Sequence, residues 1–253
     1  DKIVAWLHDK VTQAQGCKVQ DRSESLAQIA VQGPASRDIL TNAGMADITS
    51  LKVRQCLDST FCGHPTLVTR TGYTGELGYE LYLPAEAAAA AWDRLLEAGH
   101  PLGVKPAGLG ARDLLRLEMV YLLYGNDMND ETTPIEAGAD WVVKFDKGDF
   151  IGRAELLAQH TKGPSRRLVA FELIEKGVPR HGFKILNPDA PHAVIGEVTS
   201  GNLSPLLQKG IGMGYVTPAA AKLGASILID IRGKSCPAMI VKPPFYKRTP
   251  STS

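Results

Sequence analysis

The chain has 253 residues, of which 44% are apolar and 22% are charged, fractions typical of a globular protein. Its 28 basic and 27 acidic residues leave a net charge of +1, which excludes a global field that attracts polyanions. We therefore expect no nucleic-acid partner. The longest low-polarity tract, residues 85–91, is far shorter than a bilayer span, so we expect no membrane partner either. The length suits two domains.

Metal and redox chemistry have no sequence signature. The four cysteines lack CxxC or CxxH spacing, and the six histidines include no pair at i, i+4. We therefore predict no metal cofactor. Such sparse cysteine usage fits a reducing compartment, where thiols serve as small apolar side chains.

Helices and strands alternate in the first part of the chain. Apolar residues at helical spacing predict an amphipathic helix from Ile3 to Val11. Strands are predicted at 26–32, 67–70 and 79–83, and helices at 34–40, at 85–98, after Gly110 and at 153–159. This pattern predicts a first domain over residues 1–163.

From Arg166 onward the sequence pattern changes from alternating helices and strands to short strands separated by turn residues. Strands are predicted at 168–173, 184–186, 193–199, 210–216, 226–231 and 235–241. They predict a small all-β sandwich or barrel over residues 164–248, followed by a loose tail at 249–253. The boundary is expected near Gly163-Pro164.

The segment RTGYTGELGYE, residues 70–80, places three glycines around Glu76 and two aromatic rings, Tyr73 and Tyr79. Glycines let the backbone approach a ligand, and a carboxylate can accept two parallel N–H bonds from an amino-pyrimidinone edge. The alternative is a hairpin in which the glutamate is solvated and the tyrosines pack in the core.

The segment GLGARDLLRLE, residues 108–118, predicts a helix with Arg112 in its first turn. A cation is disfavoured there by the helix dipole, so Arg112 is expected to have a partner carboxylate. That carboxylate belongs to the protein, for example to Asp113 or Glu118, or to a ligand.

These two segments occur in order with TPIEAG, KGDFIG, EVTSG and GMGYV, and the chain thereby resembles the T-protein (aminomethyltransferase) family of the glycine cleavage system. The resemblance runs from end to end but implies a chain that lacks roughly the N-terminal third of a family member. The implied fold class is α+β: a folate-binding α/β domain followed by a small C-terminal all-β barrel.

The resemblance implies transfer of the aminomethyl group from the lipoyl arm of the H-protein to tetrahydrofolate, with release of ammonia. Tetrahydrofolate would be a substrate and the lipoylated H-protein a partner. The implied location is the cytoplasm in a bacterium, or the mitochondrial matrix in a eukaryote.

The resemblance also implies roles for individual residues. Glu76 would grip the pterin edge, and Arg112 would hold the glutamyl tail of the folate. Tyr246 is the candidate for an aromatic residue that reaches the pocket from the C-terminal segment, with Phe245 and Arg248 as alternatives. These roles fit a ligand that combines a donor-rich edge, a flat body and a carboxylate.

Tyr73 is the candidate wall for the pterin ring, together with Tyr79. The family's catalytic aspartate lies in a GGxxDD-like segment, which this sequence does not contain. Asp113, Asp127 and Asp130 lack a matching context, so no catalytic residue is assigned. We expect the chain alone to be inactive or nearly so.

Two other functions are compatible with the resemblance. The chain could be the folate-binding half of a flavoprotein that oxidises sarcosine or dimethylglycine, in which case a flavin domain would precede it. It could also be a non-enzymatic folate-binding module, but relatives of that class carry KGCYTGQE, whereas residues 147–153 are KGDFIGR without a cysteine.

Overall fold

The computed structural model describes residues 2–11 and 16–247. Contacts between residues divide the chain into two compact units. The first contains residues up to 72 and 76–106, and the second contains 73–75 and the chain from 107 onward. This division follows spatial contacts, whereas the domain boundary near Gly163 follows a change of sequence texture and stays a prediction.

The first unit contains an antiparallel four-stranded sheet in the order β1-β4-β3-β2. Its strands are β1 (Leu26–Gln32), β2 (Cys56–Phe61), β3 (His64–Thr69) and β4 (Gly78–Pro84). Its helices are α1 (Lys2–Val11), α2 (Ser36–Asn42) and α3 (Ala88–Gly99), and a short 3-10 turn, Ala85–Ala87, leads into α3. The predicted helices and three predicted strands are confirmed, and β2 was missed.

One face of this sheet forms the core of the first unit. Tyr79, Leu81 and Leu83 alternate along β4 and are fully buried, as the two-residue period of a strand requires. They pack with the buried face of α2 and with Ala91 and Leu95 of α3. The α1 helix, in contrast, buries none of its residues.

The second unit contains a closed antiparallel barrel in the order β10-β5-β8-β7-β6-β9. Its strands are β5 (Arg167–Leu173), β6 (Lys184–Asn187), β7 (Ala190–Ser204), β8 (Lys209–Val216), β9 (Ser226–Ile231) and β10 (Lys234–Val241). Within the described residues of the second unit, two α-helices precede the barrel in sequence, α4 (Leu109–Glu118) and α5 (Arg153–Lys162). The predicted barrel is confirmed, and the sandwich alternative is wrong.

The long strand β7 contains a register shift between Val198 and Ser200 in its pairing with β8. At such a bulge the alternation of side chains between the two faces is interrupted. Glycines permit close backbone approach in the same ladder: a Cβ on Gly196 would lie 1.9 Å from the carbonyl oxygen of Tyr215.

The C-terminal half of α4 is buried while its start is exposed. Arg116, Leu117 and Glu118 are almost fully inaccessible, whereas Leu109 is 82% exposed. The helix thereby presents its first turn to solvent and its last turn to the core. Across the described part of the chain, no helix combines the length and apolar composition needed to cross a bilayer.

Candidate functional site

Glu76 lies in the turn that joins β3 to β4, in the first unit, and its side chain is half-buried. The turn is packed against Gln32 of β1. A Cβ on Gly72 or Gly78 would lie 2.1 or 2.0 Å from the Gln32 Oε1 atom. The Gln32 amide donates to the carbonyl oxygens of Thr71 (3.3 Å) and Tyr79 (3.2 Å). The glycines therefore allow one half-buried amide, that of Gln32, to hold both ends of the segment that carries Glu76.

Tyr79 does not belong to a ligand site. Its side chain is fully buried in the core of the first unit, and its hydroxyl accepts a bond from Arg37 Nε at 3.2 Å. The prediction that Tyr79 walls the ring is therefore wrong. The core position that sequence analysis kept as the alternative is the one observed.

Tyr73 is assigned by its contacts to the second unit, where it stacks on Tyr121. The ring centroids are 5.6 Å apart, the planes differ by 22°, and the Tyr73 hydroxyl donates to the carbonyl oxygen of Leu122. Burial raises the pKa of Tyr73 above its ordinary value. The pair forms a flat aromatic wall, of which Tyr121 was not predicted.

Arg112 lies beside this wall. Its guanidinium carbon is 5.4 Å from the centroid of the Tyr73 ring, a cation–π distance, and the residue is exposed. Arg112 forms no ion pair with any residue in the ranges 2–11 and 16–247. The proposed protein partners are engaged elsewhere: Asp113 pairs with Arg116 at 2.6 Å, and Glu118 accepts from Ser204 at 2.6 Å.

Behind Arg112 and Tyr73 lies a buried polar network that sequence analysis missed. Arg116 is 1% exposed and Asp127 is inaccessible, and the two side chains form an ion pair. The Asp127 carboxylate also accepts bonds from the Leu123 amide (2.9 Å) and from the hydroxyls of Thr199 (2.5 Å) and Ser200 (2.7 Å). The available signal was a charged residue among the apolar positions of α4, which is unfavourable unless it is paired.

The C-terminal segment approaches the other end of α4. The Tyr246 amide donates to the carbonyl oxygen of Glu118 at 3.0 Å, and the Tyr246 side chain is half-buried. Phe245 is buried with Leu117, Ile211 and Met213, so it serves the core. Arg248 lies outside the described residues.

The structure thus brings Tyr73 and Arg112 together and adds Tyr121, while Tyr246 is fixed to the last turn of the helix that carries Arg112. Glu76 belongs to the first unit. Within the described residues, no cluster of three or more His, Cys, Asp or Glu side chains is placed to hold a metal ion. A cation beside a flat aromatic wall can bind a planar ligand that bears a carboxylate.

Comparison with known proteins gives matches over both halves of the chain. The GCVT N-terminal domain matches residues 1–147, and the glycine cleavage T-protein C-terminal barrel domain matches residues 166–247. The aminomethyltransferase of Phocaeicola vulgatus is 45% identical over 92% of this chain and 64% of its own length. That of Halothermothrix orenii is 48% identical over 97% of this chain and 67% of its own length.

Among solved structures, the glycine cleavage system aminomethyltransferase T from Bartonella henselae is similar, with a TM-score of 0.84 and 32% identity. The similarity covers 96% of this chain and 65% of that chain. The chain therefore spans about two thirds of the length of the relatives that it matches.

Proposed function

Because the chain belongs to the glycine cleavage T-protein family, we propose that it carries most of the folate site of a tetrahydrofolate-dependent aminomethyltransferase. The aminomethyl group would come from the dihydrolipoyl arm of the H-protein, and the one-carbon unit would pass to tetrahydrofolate with release of ammonia. A cytoplasmic location is part of the same proposal.

The observation that carries the proposal is the exposed Arg112 guanidinium, which lies 5.4 Å from the Tyr73 ring and has no ion-pair partner in the described chain. A cation in the first turn of a helix opposes the helix dipole and gains stability from an added carboxylate. A folate supplies that carboxylate on its glutamyl tail, together with flat rings that stack on tyrosine.

Glu76 would bind the amino-pyrimidinone edge of the pterin. The half-buried position of Glu76 and the glycine turn around it favour directed hydrogen bonds over free solvation. Tyr246 would contribute a further aromatic surface. None of these four residues is proposed to donate or remove a proton during the reaction.

The chemistry in this proposal rests on positioning. The N5 and N10 nitrogens of tetrahydrofolate would each form a bond to the aminomethyl carbon, while the bonds of that carbon to the amine nitrogen and to the dihydrolipoyl sulfur break. The two protons displaced from N5 and N10 leave with ammonia and with the dihydrolipoyl thiol. Holding the two reactants in line replaces an encounter in solution, and such orientation alone contributes several kcal/mol to catalysis. The side chains of this chain bind and orient the folate partner.

The binding proposal is tested by titrating tetrahydrofolate into the chain and its Glu76→Ala and Arg112→Ala variants. Loss of a charged hydrogen bond removes about 1.5 to 3 kcal/mol, so each variant is expected to bind about 10- to 150-fold more weakly. The exposed residues Glu175 and Arg180 serve as charge-matched controls, and their alanine variants should bind as the unchanged chain does. Equal affinity for all five proteins would reject both assignments.

The transfer step is tested separately, by ammonia release from aminomethylated H-protein in the presence of tetrahydrofolate. The measurement is made on the chain and on the complete product of its gene. Folate binding without ammonia release by the complete product would contradict the transferase proposal. That outcome would instead favour the folate-binding module, or the flavoprotein half if a flavin domain is present.

A further inference from the structure

We propose that Arg116 and Asp127 are positioning residues, which fix the Tyr73–Tyr121 wall through the segment 121–123 without touching the folate. This inference rests on the proposed function, because the wall is the surface that would receive the pterin. It assigns a task in binding to a buried ion pair that otherwise would serve only the stability of the second unit.

Three hydrogen bonds from or to side chains hold the backbone of the segment 121–123. Arg116 Nη1 donates to the carbonyl oxygen of Tyr121 at 3.2 Å, and the Leu123 amide donates to Asp127 Oδ2 at 2.9 Å. Between them, the Tyr73 hydroxyl donates to the carbonyl oxygen of Leu122. Both members of the buried pair and the Tyr73 hydroxyl therefore meet on three consecutive residues. Because Tyr121 is the first of the three, its ring is set against the ring of Tyr73.

The bulge in β7 explains how the pair is itself held. Neighbouring residues of a regular strand point to opposite faces, so Thr199 and Ser200 could not both face one carboxylate. The register shift between Val198 and Ser200 interrupts that alternation, and both hydroxyls donate to Asp127 Oδ1, at 2.5 and 2.7 Å. Bulges that redirect side chains are frequent beside functional sites.

The carboxylate of Asp127 is saturated by these donors. Its oxygens accept four hydrogen bonds, from Arg116, the Leu123 amide, Thr199 and Ser200. The Arg116 guanidinium also donates to the Asp113 carboxylate and, at 2.8 Å, to Ser200 Oγ. A buried pair whose donors and acceptors are all used is a rigid anchor, whereas the loss of one bond leaves a buried polar group unsatisfied. Because the network bonds to the backbone of residues 121 and 123, its rigidity restrains the Tyr73–Tyr121 wall.

Strand β7 offers a matched pair of variants for the test. Ser200→Ala removes a hydroxyl that donates to Asp127, and Ser204→Ala removes a hydroxyl that donates to Glu118 at 2.6 Å. Both serines are buried and both bond to a buried carboxylate, but only Ser200 belongs to the network. Thr199→Val is a second network variant, with nearly unchanged volume, in case Ser200→Ala does not fold.

The decisive measurement is the affinity for tetrahydrofolate in two backgrounds, the unchanged chain and the Tyr121→Ala variant, which lacks the wall. In the unchanged background, Ser200→Ala is expected to weaken binding about 5-fold, the effect of about 1 kcal/mol of coupling. In a Tyr121→Ala background the same change should alter binding less than 2-fold, because the wall is already lost. Ser204→Ala should change affinity less than 2-fold in both backgrounds. Equal losses in both backgrounds, or an equal loss from Ser204→Ala, would overturn the inference.

A second readout does not need folate. The ultraviolet titration of Tyr73 is identified by the signal that Tyr73→Phe removes, and burial keeps the pKa of that phenol above its ordinary value. Four charged side chains act on this phenol: Arg112 and Arg116 lower the pKa of Tyr73, and Asp113 and Asp127 raise it. Ser200→Ala should move the midpoint toward the ordinary value as the wall loosens, and Ser204→Ala should not.

An unchanged Tyr73 titration in both Ser200→Ala and Thr199→Val would reject the positioning role. A shifted titration in a chain that binds no tetrahydrofolate would leave the positioning role intact and reject the proposed function. The two failures are therefore distinguishable.

Discussion

Tyr215 shows how one side chain joins two parts of the second unit. Its hydroxyl, on strand β8, donates to the backbone carbonyl oxygen of Asp127 at 2.8 Å, and the Arg166 guanidinium lies 4.6 Å from its ring centroid. Burial raises the pKa of Tyr215 to about 12, against the smaller opposing effect of Arg166. The hydroxyl therefore keeps its proton, and can donate its hydrogen bond, to a higher pH than an ordinary tyrosine does.

We predict that Tyr215→Phe lowers the free energy of unfolding by about 1 to 2 kcal/mol at neutral pH, because the carbonyl oxygen of Asp127 loses its donor. A phenol with a raised pKa contributes stability that is complete below the unfolded pKa, about 10, and is lost as the pH rises toward 12. The difference between the two proteins should therefore be constant below pH 9 and shrink above pH 10. Urea unfolding at pH 8 and 11 measures it.

A constant difference across that range would contradict the assignment of the raised pKa to Tyr215. The solvent-exposed Tyr124 provides the control. Tyr124→Phe should change neither the stability at pH 8 nor its dependence on pH.

At the scale of elements, the barrel depends on glycines in the β7–β8 ladder. Gly196 pairs with Val216, and a Cβ there would meet the backbone carbonyl oxygen of Tyr215, which cannot move as a flexible side chain can. A Cβ on Gly214 would likewise lie 2.6 Å from the carbonyl oxygen of Glu197. The backbones of β7 and β8 therefore approach each other more closely than side chains at these two positions would allow.

We predict that Gly196→Ala destabilises the barrel by about 1 to 3 kcal/mol, the usual penalty for overpacking. Gly110→Ala is the opposite case, because Gly110 lies within α4 and, apart from its two chain neighbours and the backbone of its own helix, no atom of the described residues lies within 4 Å of the added methyl group. That variant should be more stable by about 0.5 to 1 kcal/mol. Thermal unfolding of both variants measures whether each change lowers or raises stability. An unchanged stability of Gly196→Ala would show that β7 and β8 can move apart to hold the added methyl group.

The sequence was most informative where hydrophobic periodicity is strong. The alternation in 79–83 gave β4, the alanine-rich run gave α3, and six short apolar runs gave the barrel strands. Strand β2 was missed because Asp58, Ser59 and Thr60 interrupt its apolar pattern. The full length of β7 was missed because its bulge and its exposed first half break the two-residue period.

The candidate site was partly predictable. Tyr73 and Arg112 were identified by residue type and motif, but their contact joins positions about forty residues apart, which periodicity does not report. The ion pair of Arg116 and Asp127 was missed because isolated charged residues are usually exposed. Tyr121 was missed because its role comes only from stacking on Tyr73.

For the whole molecule, near-neutral charge and a lone guanidinium beside an aromatic wall predict selective binding of one small anion. A net charge of +1 gives little long-range attraction for polyanions. The recognition of a folate would therefore come from short-range contacts, and salt should weaken binding mainly through the exposed Arg112 contact.

We predict that tetrahydrofolate at about 100 times its dissociation constant stabilises the chain by about 2.7 kcal/mol, which raises the unfolding temperature by about 5 to 10 °C. A reduced pterin without the glutamyl tail should stabilise the unchanged chain less. It should stabilise Arg112→Ala and the unchanged chain alike, because it offers no carboxylate to the guanidinium. Scanning calorimetry makes the comparison, and identical shifts from both ligands would contradict the role of Arg112.

The closure of the barrel has a consequence for handling the protein. A closed barrel has no edge strand, whereas the sheet of the first unit has two edge strands, β1 and β2, each paired on one side only. The free backbone groups of an edge strand are templates for intermolecular β-pairing, and a charge such as that of the exposed Asp58 on β2 opposes such pairing. At high concentration we therefore expect aggregation to begin from the first unit, and neutralisation of Asp58 to accelerate it.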